Sequence, residues 1–340
     1  MRDLIVAGGG PVGLAAALHA ARAGLDVAVR EPRDGVLDKA CGEGLMPGAV
    51  AALTGLGIRL DGHPLAGIRY VDGPLEVEAA FRRGTGLGVR RTTLHAALRA
   101  RAAGAGITTT GPAVREIRQH EDHVVVDGEK ARHLIAADGL HSPVRRLLGL
   151  QGREAPLRRY GLRSHAGLAP WTPYVEVHWS PAGEAYVTPV ADDEVGVALL
   201  SDRRRPFDAL LADFPTLAAR LSGHPLGRVR GAGPLRQRSR RLVAGRVLLV
   251  GDAAGYVDAL TGEGIALGLA QARAAVAAVQ EGRVSSYERE ARRLGRRHAL
   301  LTLGLLTATR VPAVRSRVVA TAARLPTVFG AAVDQLARPA

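Results

Sequence analysis

The chain has 340 residues, 47% apolar and 23% charged, which is the balance of a folded globular protein long enough for one large or two modest domains. No run of about 18 apolar residues occurs, so no membrane-spanning helix is expected. The one cysteine, Cys41, excludes an intramolecular disulfide. The net charge of +14 is almost all arginine, because Lys39 and Lys130 are the only lysines; aromatics are 4% and no nucleic-acid motif accompanies the arginines, so solvated faces explain the charge better than a nucleic-acid partner.

Residues 1–3 lead at once into an apolar strand at 4–7 (LIVA), which leaves no room for a signal peptide and gives the expectation of a reducing cytoplasm. The strand runs into Gly8-Gly9-Gly10-Pro11-Val12-Gly13, a GxGxxG turn, then an alanine-rich helix over 14–23 that stops at Gly24. A second strand at 26–29 ends at Glu31. In this βαβ unit Gly8 permits the tight turn and Gly10 lets a pyrophosphate approach the backbone. Gly13 lets helix and strand pack closely, and the helix N-terminus faces the anion. Glu31 lies 18 residues beyond Gly13, near the ~20-residue spacing of a carboxylate that holds a ribose hydroxyl. Together they predict dinucleotide binding.

Residues 38–50 (DKACGEGLMPGAV) read as a glycine-rich loop entering a helix after Pro47. Residues 67–82 predict a hairpin turning at Asp72-Gly73. A helix is expected from Thr92 or Thr93 to 101, a short strand at 107–110, an antiparallel pair at 113–119 and 123–127, and a buried strand at 133–137 ending at Asp138-Gly139. Runs at 174–179, 184–190 and 194–200 form an antiparallel meander, and 207–221 reads as one amphipathic helix. The buried parallel-strand type returns at 247–250 and ends in GDAAG. Residues 286–336 read as a helical tail rich in arginine. The fold class is therefore α/β, with a discontinuous Rossmann-type domain (1–65, 88–154 and 242–285), an inserted antiparallel sheet domain for substrate (66–87 and 155–241) and a C-terminal helical segment (286–340).

Three stations close apolar strands: the glycine turn, Asp138-Gly139 and Gly251-Asp252. Ligands of doubly wound sheets sit beyond such strand ends, and three stations suit one long cofactor. The segment GDAAGYVDALTGEGIALGLAQA (251–272) resembles the second FAD fingerprint of para-hydroxybenzoate-hydroxylase-type flavoproteins, whose fold is a glutathione-reductase-like FAD domain. That resemblance implies FAD as cofactor, Asp252 on the ribityl chain, and Gly262, Gly264 and Ile265 beside the isoalloxazine ring. Residues 136–149 (AADGLHSPVRRLLG) resemble the family's DG motif, with Asp138, Gly139, Ser142 and Arg145 in matching places. Arg91 matches an arginine used against the cofactor. Within the superfamily, DKACGEGLMP and TGEGI look most like the geranylgeranyl-reductase branch, which also holds bacterial flavin monooxygenases of specialised metabolism. Gly255 and Ala259 depart from the hydroxylase pattern, which has histidine and proline there. The halogenase-like GE-x-x-x-P element lacks its downstream lysine, because none lies between Lys39 and Lys130.

For the chemistry, the resemblance implies an FAD-dependent monooxygenase that forms a flavin hydroperoxide and oxygenates an aromatic or polyketide-like molecule. The alternative is a reductase of isoprenoid double bonds; a halogenase or a non-catalytic nucleotide-binding module ranks lower. No second GxGxxG occurs, so NAD(P)H is expected only as a transient co-substrate. Cys41 and Gly42 are expected beside the flavin, with Cys41 either on its substrate face or a packing residue. Lys39 reads as a phosphate or nicotinamide contact or a solvated lysine, and Glu43 as a proton donor or, preferred, a cap on the helix after Pro47. Tyr160, Arg163, His165, His178, Trp179 and Tyr186 fall in the second sheet, about half of them facing the substrate; His165 and Tyr186 are the candidate bases for a phenol. No metal is expected. The tail is expected to close over the second sheet, with weak contact to an anionic membrane as the alternative. A long apolar cavity beside the flavin would favour an isoprenoid, a short polar one a phenol.

Overall fold

Continuous and alternating apolar runs sort into different sheets. The computed structural model describes residues 1–154 and 158–337. Leu4, Ile5 and Val6 are all fully buried, as a strand covered on both faces requires. Such runs make the first sheet, in the order Val243–Ala244, Val247–Leu249, Glu129–Ala136, Arg2–Ala7, Val27–Arg30, Thr108–Thr109. All neighbours are parallel except the edge pair Val243–Ala244 and Val247–Leu249. An antiparallel pair, Ile117–Gln119 and Val124–Val126, extends from Glu129–Ala136. The helices Pro11–Arg22, Arg91–Gly104 and Gly264–Gln280 pack with this sheet in one core.

The alternating runs form the second sheet: Arg230–Ala232, Tyr160–Ala166, Glu194–Ser201, Gly183–Ala191, Tyr174–Ser180, Gly67–Asp72, Leu75–Ala80. The predicted hairpin at Asp72-Gly73 joins the meander through one parallel pair, Gly67–Asp72 against Tyr174–Ser180. A small third sheet, Gly44–Leu45, Gly86–Gly88 and His63–Leu65, sits at the junction. The helix after Pro47 forms as expected, over Pro47–Gly55.

One expectation is corrected. Residues 207–221 form two helices, Phe207–Leu211 and Pro215–Leu221, because Pro215 offers no backbone N–H and drives Phe214 out of the helical region (φ −127°, ψ 71°). The amphipathic face survives the break: Phe207, Leu210, Phe214, Leu217 and Leu221 cover Val187, Val195 and Val197. The domain boundary drawn at residue 155 and the last three residues of the C-terminal segment lie outside the described residues.

The tail folds as Val284–Ala308, Pro312–Arg315, Val318–Arg324 and Pro326–Ala337. Phe329, Val333 and Leu336 pack with Ile68, Val177 and Trp179, so it closes over the second sheet. No helix among the described residues is long and apolar enough to cross a membrane. At its other end the tail is pinned to the first sheet by the fully enclosed Tyr287, whose hydroxyl donates to the Leu249 carbonyl at 2.7 Å. Tyr287→Phe leaves that carbonyl unpaired and is expected to cost about 1–2 kcal/mol, against about 3–5 for Tyr287→Ala, which adds a cavity. Denaturant unfolding of the two variants measures both.

Candidate functional site

The glycine turn is built by close approach. Gly8 has φ +100°, and a Cβ at Gly13 would stand 1.9 Å from the Gly8 carbonyl oxygen, so neither position accepts a side chain. Pro11 opens the helix at its first turn. Val12 does not face the cavity; it packs where a Cβ on Gly251 or Gly268 would stand, joining the first and third stations. Gly10 stays open, with the Arg91 guanidinium 3.9 Å from the place of its Cβ. Glu31 is buried and held from two sides: Gly9 N–H donates to Oε2 at 2.9 Å, and Arg33 donates to Oε1 at 2.7 Å and to Oε2 at 2.9 Å. Burial pushes its pKa up, but the Arg33 and Gly9 hydrogen bonds outweigh that and hold it below the usual carboxylate range.

A residue that the sequence reading missed braces this turn. His95 is buried, donates from Nε2 to the Gly9 carbonyl at 2.8 Å and accepts the Leu37 N–H at Nδ1, 3.0 Å. Only a neutral imidazole can do both, and burial pushes its pKa down accordingly. Its signal was its place one helical turn beyond Arg91.

The second and third stations are joined by Arg145, which is fully buried. Its Nη1 donates to the carbonyls of Asp252 and Ala253 at 3.2 and 2.9 Å, its Nη2 to the Leu140 carbonyl at 2.8 Å and its Nε to Gln151 Oε1 at 2.8 Å. Ser142 caps the helix that carries it, accepting the Arg145 N–H at 2.9 Å. Asp138 accepts from Val144 N–H on Oδ2 at 2.9 Å, but its buried Oδ1 has no partner among the described residues, and neither has Arg91 Nε. Burial raises the pKa of both Asp138 and Asp252, against the nearby positive charges. Lys39 stands near Asp252 and within 3.5 Å of the place of a Gly139 Cβ; burial first, then Arg33 and Arg91, lower its pKa. Gly251 N–H is received by Gln271 Oε1 at 2.8 Å, which fixes the third station to the helix Gly264–Gln280.

Glu43 is not the helix cap that the sequence suggested; Met46 holds that place and makes no side-chain cap bond. At φ +60°, Glu43 turns its carboxylate inward, where Oε1 accepts the Arg91 backbone N–H at 2.8 Å and Oε2 accepts from His165 Nε2 at 2.6 Å. Arg163 donates to His165 Nδ1 at 3.2 Å and to Asp38, and Arg230 donates to the other Asp38 oxygen at 2.9 Å. His165 is thus fully engaged and not poised as a free base. Tyr186 is also committed: its hydroxyl donates to the Leu260 carbonyl at 2.8 Å, and burial raises its pKa well above the usual value. Cys41 Sγ accepts the Glu43 N–H at 3.4 Å, and burial raises the thiol pKa. Gly42 receives Thr188 Oγ1 at 2.8 Å.

These stations meet one cavity of about 1280 Å³. Lys39, Cys41, Gly42, Arg91, Asp138, Asp252, Gly262, Gly264 and Ile265 line it at one end. The other end is walled by Ile68, Val177, Leu301, Leu305, Phe329 and Leu336, from the second sheet and the tail. Gly8, Gly10, Pro11, Val12, Gly13 and Glu31 lie outside this lining, at the turn. Three groups went unseen in the sequence. Tyr256 lines the cavity, with its ring 3.2 Å from the place of a Gly264 Cβ and its pKa raised well above the usual value by burial. Glu263 pairs with His298 at 2.9 Å beneath the same helix start. Arg159 sits between Glu184 and Asp258, and Arg315 of the tail donates to Glu184 at 2.5 Å. Tyr256 lay inside a quoted motif; His298 and Arg315 carried no local signal.

Residues 1–206 match a family model described as an FAD binding domain. The chain belongs to the FAD-binding flavoprotein family. It is an FAD-dependent oxidoreductase. A menaquinone reductase of Mycolicibacterium smegmatis is 32% identical over 322 residues, 84% of this flavoprotein and 78% of the relative. A digeranylgeranylglycerophospholipid reductase of Methanothermobacter thermautotrophicus is 29% identical over 331 residues, 86% and 80% of the two chains. A flavin-dependent brominase of known structure shares the fold alone, with TM-score 0.81 at 15% identity over 99% of this chain and 93% of that one.

The flavoprotein's Asp258 gives a pH signature. Burial, with Arg159 opposing and Glu184 adding, raises its pKa from 3.8 to about 6. Between those values the folded state binds the extra proton, so this contribution to stability is full below 3.8 and is lost as pH rises to about 6. The melting temperature of wild type minus that of Asp258→Asn should therefore grow as pH falls from 7 to 4. A pH-independent difference would contradict the shift.

Proposed function

We propose that this flavoprotein reduces carbon–carbon double bonds of an isoprenoid chain, with a reduced nicotinamide as transient electron donor. The observation that carries the reading is the apolar wall of the cavity, Ile68, Val177, Leu301, Leu305, Phe329 and Leu336, which continues from the polar cofactor end. At about 1280 Å³ the cavity exceeds the ~300–1,000 Å³ of a usual small-ligand pocket, which suits a cofactor end and a chain together. Relatives named for reduction of a menaquinone and of a digeranylgeranylglycerophospholipid support the same substrate class. The monooxygenase expectation has less support, since His165 and Tyr186, its candidate bases, are both held in internal hydrogen bonds.

The residues present fit FAD. The Gly8–Gly13 turn and the helix start beyond it suit the pyrophosphate, Glu31 with Arg33 the adenosine ribose, and Lys39 and Arg91 the phosphate charge. The unpartnered Asp138 Oδ1 and the enclosed Asp252 carboxylate suit the hydroxyls of the ribityl chain. The first turn of Gly264–Gln280, with its free N–H groups and positive dipole end at the cavity, would suit the ring. Bound there, FAD supplies the hydride chemistry.

Saturating a double bond also needs a proton on the second carbon. Two groups on the cavity wall hold one at neutral pH, the Tyr256 hydroxyl and the Cys41 thiol, because burial raises both pKa values. Tyr256 makes no side-chain hydrogen bond among the described residues, so its hydroxyl is not committed to another partner. The apolar wall keeps water away from the reacting bond, and the C-terminal helices close that wall.

Anaerobic incubation of the FAD-loaded protein with reduced nicotinamide and a polyprenyl quinone should add two hydrogens per bond, read by mass spectrometry. Gain of one oxygen atom, only in air, would overturn the reading in favour of the monooxygenase. Tyr256→Phe should slow saturation by about 100-fold while the nicotinamide bleaches the flavin at the wild-type rate.

A further inference from the structure

We propose that the mouth of the cavity docks on an anionic lipid bilayer, so that an isoprenoid chain enters from the membrane without crossing water. Entry of the chain rests on the reading above; the docking itself does not.

The mouth is identified by residues that both line the cavity and lie exposed. On the C-terminal helices Val314 (42%), Leu325 (49%) and Val328 (60%) do so. Deeper lining residues on the same walls are covered: Val177 is 4% exposed, Phe329 7% and Leu336 9%. Three large aliphatic side chains beside a cavity opening are costly in water, and lone exposed aliphatics are ordinary whereas a cluster of them at a cavity is not. Arg317 stands beside them on the cavity lining, exposed and without an ion pair among the described residues.

The charge selects the partner. Residues 291–337 contain eight arginines and a single acid, Asp334, which is buried. Arg310 and Arg324, both exposed and flanking the apolar positions, add to the field. Aliphatic side chains ringed by arginine complement lipid tails below anionic headgroups, where each basic residue near the surface is worth about fivefold in affinity. The geometry is fixed from within. Arg315 reaches inward to Glu184 and to the Pro181 carbonyl, so the short helix Pro312–Arg315 is anchored to the second sheet while Val314 and Arg317 remain outside. No described helix can cross a membrane, and an interfacial contact needs none.

The test is flotation of the FAD-loaded protein with vesicles of phosphatidylcholine, with and without phosphatidylglycerol. Expected is binding that requires the anionic lipid and weakens as salt rises. Leu325→Asp with Val328→Asp should weaken it at least tenfold, and Arg310→Glu with Arg324→Glu should remove the preference for anionic lipid. Arg118→Glu, outside the mouth, should bind as wild type. FAD content of each variant reports folding. Absence of wild-type binding, equal binding of neutral vesicles, or wild-type binding by the apolar-rim variant would overturn the proposal. So would a dimer that the rim variant dissociates, which would assign the surface to a second copy. Vesicle binding without double-bond saturation would leave the docking in place and overturn the isoprenoid reading; saturation of a short soluble substrate without vesicle binding would do the reverse.

Discussion

The arrangement depends on one buried cation. The Arg145 guanidinium has no exposed surface, and among the described residues it has no direct carboxylate contact. Backbone carbonyls from two separate stations and the side chains of Gln151 and Gln237 satisfy it instead. Its charge lies between Asp138 and Asp252, and burial lowers its own pKa while those two carboxylates raise it. The two acids and the arginine must therefore be buried together. Removing the arginine would strand several carbonyls and leave two acids without their countercharge. The strand ends at 136 and 249 are adjacent in the parallel sheet, which is what allows one side chain to reach both.

A second set of polar contacts joins the cofactor end to the substrate end. Glu43 bonds at once to the first backbone N–H of the helix Arg91–Gly104 and to His165 on the second sheet. Arg159, Glu184, Asp258 and Arg315 link the loop before Thr261 to the second sheet and the tail. These charges are largely buried and paired with one another, so they specify how the two sheets and the cover sit against one another more than they add stability. What they leave between them is a cavity with a polar end at Lys39, Arg91, Asp138 and Asp252 and an apolar wall at Ile68, Val177, Leu305, Phe329 and Leu336.

The cofactor end was legible because its requirements are local. Gly8, Gly10 and Gly13 follow a strand and open a helix within one βαβ unit, and Glu31 follows at a fixed spacing. Meander and hairpin were legible from alternation and turn residues. The single helix over 207–221 was misread because its apolar period continues across Pro215, whose missing N–H breaks the backbone without breaking the pattern. Glu43 was misread as a cap because a carboxylate before a helix has a common local use, whereas its partners lie 48 and 122 residues away.

By itself the sequence determined the α/β class, the FAD-type stations and the placement of a second, alternating sheet between them, because glycine turns and apolar periods act over a few residues. Tertiary structure alone decided which acids and bases remain free. His165 and Tyr186 became internal ties and Tyr256 became a cavity residue, since hydrogen-bond partners are set by pairing distant strands. It also decided the chemistry of the cavity, because much of its apolar wall comes from helices beyond residue 300 that meet the hairpin at 67–80 only after the chain has folded back over it.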